Sequence, residues 1–185
     1  MVTGFNKPIL QALKREKTDT VPVWLMRQAG RHLPEYMKVR SLTNNFLDFC
    51  YNSDLASKVT LQPITRYHMD AAILFSDILV IPHALGQSVD FIPGHGPILE
   101  PINNIADIQK LDVNRINNTL TNVYKTVSNV RKAIDDKYNT TTLIGFAGSP
   151  WTVATYVIEG GSSKDYMKTK TWCYSSPKEF SYLID

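Results

Sequence analysis

Cysteine is scarce in this sequence. There are two in 185 residues, Cys50 and Cys173, far apart and in no pairing pattern. A disulfide-stapled secreted scaffold is therefore disfavoured, and reduced thiols in a cytoplasmic protein are expected. Long apolar runs are missing as well. None approaches the ~20 residues of a membrane span, and the N-terminal stretch "MVTGFNKPILQALKREK" reads as a short helix rather than a signal peptide. Charge of one sign is lacking too. Twenty Lys and Arg against 17 Asp and Glu leave a net charge of +3 with no dense basic block. That balance gives no footprint for nucleic acid. The four histidines, His32, His68, His83 and His95, have no metal-ligand spacing with each other or with the cysteines, so no metal site is expected. Repeats and low-complexity tracts are absent.

What is present is ordinary core material, 43% hydrophobic and 20% charged, enough for a globular domain and far from disorder. Three short apolar runs read as buried strands: "VPVWLM" (21–26), "AAILF" (71–75) and "TLIGF" (142–146). Between them run helical patterns. Ile116, Leu120, Val123, Val127, Val130 and Ile134 form one apolar stripe, and a second helix starts at Ser53-Asp54 with Leu55, Val59 and Ile64. Its Pro63 predicts a bend. Strands alternating with helices indicate an α/β fold with parallel strands. Residues 80–101 break the rhythm, and their Gly and Pro punctuation around "SVDFI" predicts a β-hairpin excursion. Near the end, Ser176, Pro177 and Glu179 predict a capping box that opens a further helix whose apolar face starts at Phe180 and Leu183. Three strands alone leave open edges and uncovered core, so the chain reads as the N-terminal part of a longer domain.

The polar residues that stand out follow the strands, where α/β active sites assemble. After the first comes "RQAGR", with Arg27 and Arg31 four apart. Two guanidinium forks that close suit a carboxylate or phosphate between them, although a solvated pair beside a turn at Gly30 explains them equally well. After the second strand comes Asp77 in the apolar setting "AAILFSDILVIP", where an unpaired carboxylate is costly. A helix cap or a structural ion pair is its plain alternative. After the third strand, Ser149 caps and Pro150 opens a short helix closed by Gly160-Gly161. Tyr156 in that helix is either a core aromatic or a site hydroxyl. Ser149 has no base nearby to make it a nucleophile, and His95 in "PGHGP" reads as a turn residue. Residues alone thus give an anion-binding cleft with a buried carboxylate at its floor.

The segments "PVWLMRQAGRHLPEY", "AAILFSDILVIPHALG" and "GFAGSPWTVATYVIEGG" together resemble the uroporphyrinogen decarboxylase family, in order and spacing along essentially the whole chain. The resemblance implies a (β/α)8 barrel (TIM barrel), a single domain to which residues 1–185 contribute about the first three strand–helix units plus a hairpin insertion. It implies a cytoplasmic homodimer without metal or organic cofactor, removing CO2 from the four acetate arms of uroporphyrinogen to give coproporphyrinogen. It implies that Arg27, Gln28, Ala29, Gly30 and Arg31 bind substrate, with Arg27 a candidate proton donor. Asp77 becomes the transition-state stabiliser, Tyr156 and Arg40 further substrate contacts, and Phe146 an apolar wall. His32 stands where the family usually has tyrosine, and Met37 where it usually has arginine. The family's later serine, histidine and roughly five strands have no counterpart here. A barrel methyltransferase and an inactive fragment of the decarboxylase are the alternative readings.

Overall fold

The computed structural model describes residues 7–26 and 29–185. In chain order its elements begin with helices α1 (Pro8–Leu13), α2 (Pro34–Arg40), α3 (Phe46–Tyr51) and α4 (Ser53–Tyr67), then strand β1 (Ala71–Ile73) and helix α5 (Val80–Leu85). Strands β2 (Val89–Ile92) and β3 (Gly96–Leu99) follow, then α6 (Ile105–Ile108), a 3-10 turn (Val113–Arg115), α7 (Ile116–Thr119) and α8 (Thr121–Lys137). Strand β4 (Thr142–Ile144) and helices α9 (Pro150–Glu159), α10 (Met167–Ser175) and α11 (Pro177–Ile184) complete the chain. These elements fall into two compact units, one reaching to Ser76 and including Asn122–Phe146, the other comprising Asp77–Thr121 and Ala147–Asp185.

The first unit is built on a parallel pair, β1 with β4, in the register Ala71↔Thr142, Ala72↔Leu143 and Ile73↔Ile144. Two of the three predicted strands are therefore present, each shorter than expected. Ala72 packs with Ile64 of α4 and with Val130 and Ile134 of α8 in one core cluster, so the two long helices cover the sheet. A second cluster joins Leu33, Tyr36, Val39, Phe49 and Val59, with Phe75 and Ala29 packed against it. Helix α4 starts at Ser53 as expected, and its cap is Asn52, whose side chain accepts from the Leu55 N–H at 3.0 Å. Pro63 lies inside this helix. Thr60 ties helix to sheet: its hydroxyl donates to the Ala56 carbonyl (2.8 Å) and accepts from the Phe75 N–H (2.9 Å), just beyond β1.

The run 21–26 corrects the sequence reading, because it forms no strand. Val23 is tied to the residue just before β1, its carbonyl accepting from Asp70 N–H at 3.0 Å. The Val23 N–H is taken at 2.7 Å by the Asp70 carboxylate rather than by a ladder carbonyl. A parallel strand needs bonds along its length and cover on both faces. Here a side chain consumes the donor, and Val21 (84% exposed) and Met26 (70%) remain in water.

The second unit contains the predicted hairpin. Strands β2 and β3 are antiparallel, with Val89 opposite Leu99 and Ile92 opposite Gly96, and His95 sits exposed in the turn. The long apolar stripe from Ile116 is interrupted at Leu120. Thus α7 belongs to this unit while nearly all of α8 belongs to the other, and Thr126 is buried beside an exposed Val127. The capping box at Ser176 does not form either. No side chain caps α11, and the Glu179 carboxylate accepts from the Trp172 indole at 3.3 Å instead. Cys50 is buried and Cys173 half-buried, and neither is in a disulfide. Among the described residues no helix is long and apolar enough to cross a membrane.

Candidate functional site

The predicted site residues divide between the two units, and each group is built by its own local structure. Arg27 and Gln28 lie outside the described residues. Next to them Ala29 packs against the aromatic core cluster, and the Gly30 carbonyl accepts from the Leu33 N–H at 3.0 Å, closing a turn that delivers the chain into α2 at Pro34. Arg31 is held on that turn with its side chain exposed, and among the described residues no carboxylate pairs with it. His32 stacks on Tyr67, with ring centroids 6.5 Å apart.

Arg40 is differently occupied. Its guanidinium donates to both the carbonyl and the hydroxyl of Thr43, each at 2.9 Å, and lies 5.6 Å from the Phe49 ring centroid. These contacts fasten the end of α2 to the aromatic core, a structural use of the planar fork. Phe146 follows β4 by two residues and is 42% exposed. A larger groove of about 520 Å3 in this unit runs between α4 and α8, where Arg66 pairs with Glu35 at 3.0 Å. None of the predicted site residues lines it, and its walls are mainly long solvated side chains; it is a groove between neighbouring helices.

In the second unit Asp77 is half-buried, four residues beyond β1. One carboxylate oxygen accepts from the Leu79 N–H at 2.8 Å, and its carbonyl accepts from Val80 N–H at 3.3 Å, a local turn leading into α5. Burial pushes its carboxyl above the usual aspartate range, opposed only by the Leu79 hydrogen bond. Among the described residues no cation pairs with it. The Leu79 bond is a local turn ahead of α5, whose N-cap is Leu79 with no side-chain cap, so among the described residues Asp77 is neither a helix cap nor an ion-pair partner.

Tyr156 occupies the second half of α9, half-buried. The helix begins as the sequence predicts. Ser149 accepts from the Thr152 N–H at 3.1 Å, Pro150 occupies the first turn, and Gly160 closes the helix in a left-handed conformation. Tyr156 shares a pocket of about 200 Å3 with Trp151, Thr155, Gly161, Ser162 and Tyr166. Sequence reasoning missed these neighbours. The available signal was helical spacing, since Trp151 and Thr155 lie four apart, as do Thr152 and Tyr156, which also line this pocket. Among the described residues no three His, Cys, Asp or Glu side chains converge as metal ligands would.

Comparison with known proteins fixes the class first. A methyltransferase from Methanosarcina mazei superimposes with a TM-score of 0.64 over 98% of this chain and 51% of its own length, at 18% identity. That is a likeness of fold alone. The family is identified by sequence: the uroporphyrinogen decarboxylase (URO-D) family profile matches residues 5–185, and the chain belongs to that family. Uroporphyrinogen decarboxylases of Rhodospirillum rubrum, Maricaulis maris and Chelativorans sp. are 53%, 50% and 51% identical over 180 residues. Each alignment takes in 97% of this chain, which spans about half the length of the curated relatives it matches.

Proposed function

We propose that this chain provides the N-terminal half of a uroporphyrinogen decarboxylase, acting on the four acetate arms in a (β/α)8 barrel. The observation that carries the reading is Asp77: a half-buried carboxylate with one backbone donor and no cation among the described residues. Such a group is held at a cost that a ligand can relieve. The four inward pyrrole N–H groups of uroporphyrinogen supply donors that an ionised carboxylate, an acceptor only, satisfies.

Loss of CO2 from an acetate arm leaves an electron pair that needs a sink. Protonating the pyrrole ring creates one. The ring cation accepts the electrons as the C–C bond breaks, and reprotonation of the exocyclic carbon then gives the methyl group while the ring proton is released. A fixed anion near that cation lowers its energy, by about 4 kcal/mol at ~4 Å and an effective dielectric of ~20. In this reading Arg27, Gln28, Ala29, Gly30 and Arg31 receive the acid arms, Tyr156 contributes a hydroxyl, and Phe146 an apolar wall. The ties of Arg40 to Thr43 and Phe49 make its contribution one of support. Proton delivery falls to Arg27 or to a water it holds, and the very weak acidity of a guanidinium favours the water. The complete enzyme is proposed to work in the cytoplasm as a homodimer, without metal or organic cofactor.

The test is CO2 release from uroporphyrinogen by the complete polypeptide that contains this chain. Absence of coproporphyrinogen among the products would refute the proposal. Arg31→Glu in that protein is expected to raise KM by about tenfold or more, the worth of a lost charge-assisted contact replaced by repulsion, with a smaller change in kcat. An unchanged KM would remove Arg31 from carboxylate binding.

A further inference from the structure

We infer that the β2–β3 hairpin is the positioning element for Tyr156, acting through Gly160 and Gly161. The inference rests on the reading above that Tyr156 touches substrate.

Three backbone connections join the hairpin and its exit to the last turn of α9. The Gly160 carbonyl accepts from Leu99 N–H at 3.0 Å, the Val157 carbonyl accepts from Ile102 N–H at 2.8 Å, and Ile98 forms an isolated antiparallel bridge with Gly161. The link to Tyr156 is direct, because its carbonyl accepts from both Gly160 N–H (3.0 Å) and Gly161 N–H (3.1 Å). The side chain that precedes this pair completes the clamp. Glu159 accepts from the Thr169 N–H and hydroxyl, both at 2.8 Å, fixing α10 to the same helix end.

Both glycines are required by these contacts. Gly160 has φ +80°, and a Cβ there would lie 2.8 Å from Pro101 Cγ and 3.2 Å from the Leu99 carbonyl oxygen. Gly161 has φ +152°, and its Cβ would meet the Pro97 carbonyl oxygen at 2.7 Å. Ending a helix needs one left-handed residue. The Gly161 N–H adds a second bond to the Tyr156 carbonyl, which a residue of any type could donate; what glycine in particular permits there is the approach of the hairpin backbone. Gly161 is also a wall of the pocket under Tyr156, so hairpin docking and pocket shape are linked.

The experiment compares two glycine-to-alanine changes that share a left-handed strain and differ in docking. Gly94, in the hairpin turn, has φ +84° and nothing within 4 Å of an added Cβ, whereas Gly161 meets Pro97. With 3-fluorotyrosine at position 156, Gly161→Ala is expected to shift the 19F resonance and to speed amide exchange of Leu99 and Ile102 about tenfold or more, as expected for a local opening. Gly94→Ala leaves both unchanged. Gly160→Asn, which retains a left-handed cap, gives the same 19F displacement if Gly161→Ala fails to fold. An unmoved 19F signal in the docking variants, or an equal shift in Gly94→Ala, overturns the inference. In the complete decarboxylase Gly161→Ala should raise KM more than it lowers kcat. A displaced 19F signal with an unchanged KM supports the positioning and removes Tyr156 from substrate binding, which separates the two claims.

Discussion

Asp77→Asn, in a complete decarboxylase containing this chain, is expected to lower kcat by about three decades. The figure follows from the ~4 kcal/mol that one preorganised charge supplies to a neighbouring cation at an effective dielectric of ~20. Asparagine retains an oxygen for the Leu79 N–H, which Asp77 binds at 2.8 Å, so the local turn survives and only the charge is lost. Stability should move the opposite way. Burial raises the Asp77 carboxyl pKa in the folded chain. The stability conferred by its protonation is therefore full below the ordinary value of 3.8 and is lost as pH rises through the elevated folded value. The ionised group is a burden at neutral pH. There the Asn variant should melt at a higher temperature than the native protein. In acid the difference should shrink. Pre-steady-state CO2 release and thermal denaturation at two pH values measure the two halves, and normal turnover in the variant would take Asp77 out of the mechanism.

Phe49→Ala is expected to be the most damaging single core change, costing about 3–5 kcal/mol, a large share of the ~5–15 that holds a domain folded. Phe49 is 0% exposed, with ring centroids 4.7 Å from Phe75 and 5.9 Å from Tyr36 and the Arg40 guanidinium above it. Removing the ring leaves a void that the rigid neighbours cannot fill, and it loosens the residue two before Asp77 along with the seat of Arg40. A melting temperature lower by roughly 10 °C or more is the expected readout. A shift of one or two degrees would mean that the cluster repacks and is not the keystone of its unit.

The sequence was most legible where local chemistry decides structure. Ser149 and Pro150 start α9, Gly160 ends it, and the Gly and Pro pattern around "SVDFI" marks a hairpin, because caps and turns depend on a few adjacent residues. It was least legible where a distant side chain intervenes. The Asp70 carboxylate takes the Val23 N–H from across 47 positions, and Trp172 takes the carboxylate of Glu179 on which the expected capping box depended. Periodicity misled at Ile116, since the stripe is real on paper but the helix breaks at Leu120 between two units. The placement of Asp77 beyond β1 and of Tyr156 in the helix beyond β4 was legible. The pocket around Tyr156 was not, because Ser162 and Tyr166 arrive from the loop beyond the helix.

Asp70 has a consequence beyond its own bond. An exposed apolar stretch such as Val21, Val23 and Met26 is the kind of surface onto which another molecule adds by edge-to-edge pairing, the first step toward aggregates. By filling the Val23 donor with a charged oxygen, Asp70 acts as a gatekeeper, placing negative charge where an incoming backbone carbonyl would have to dock.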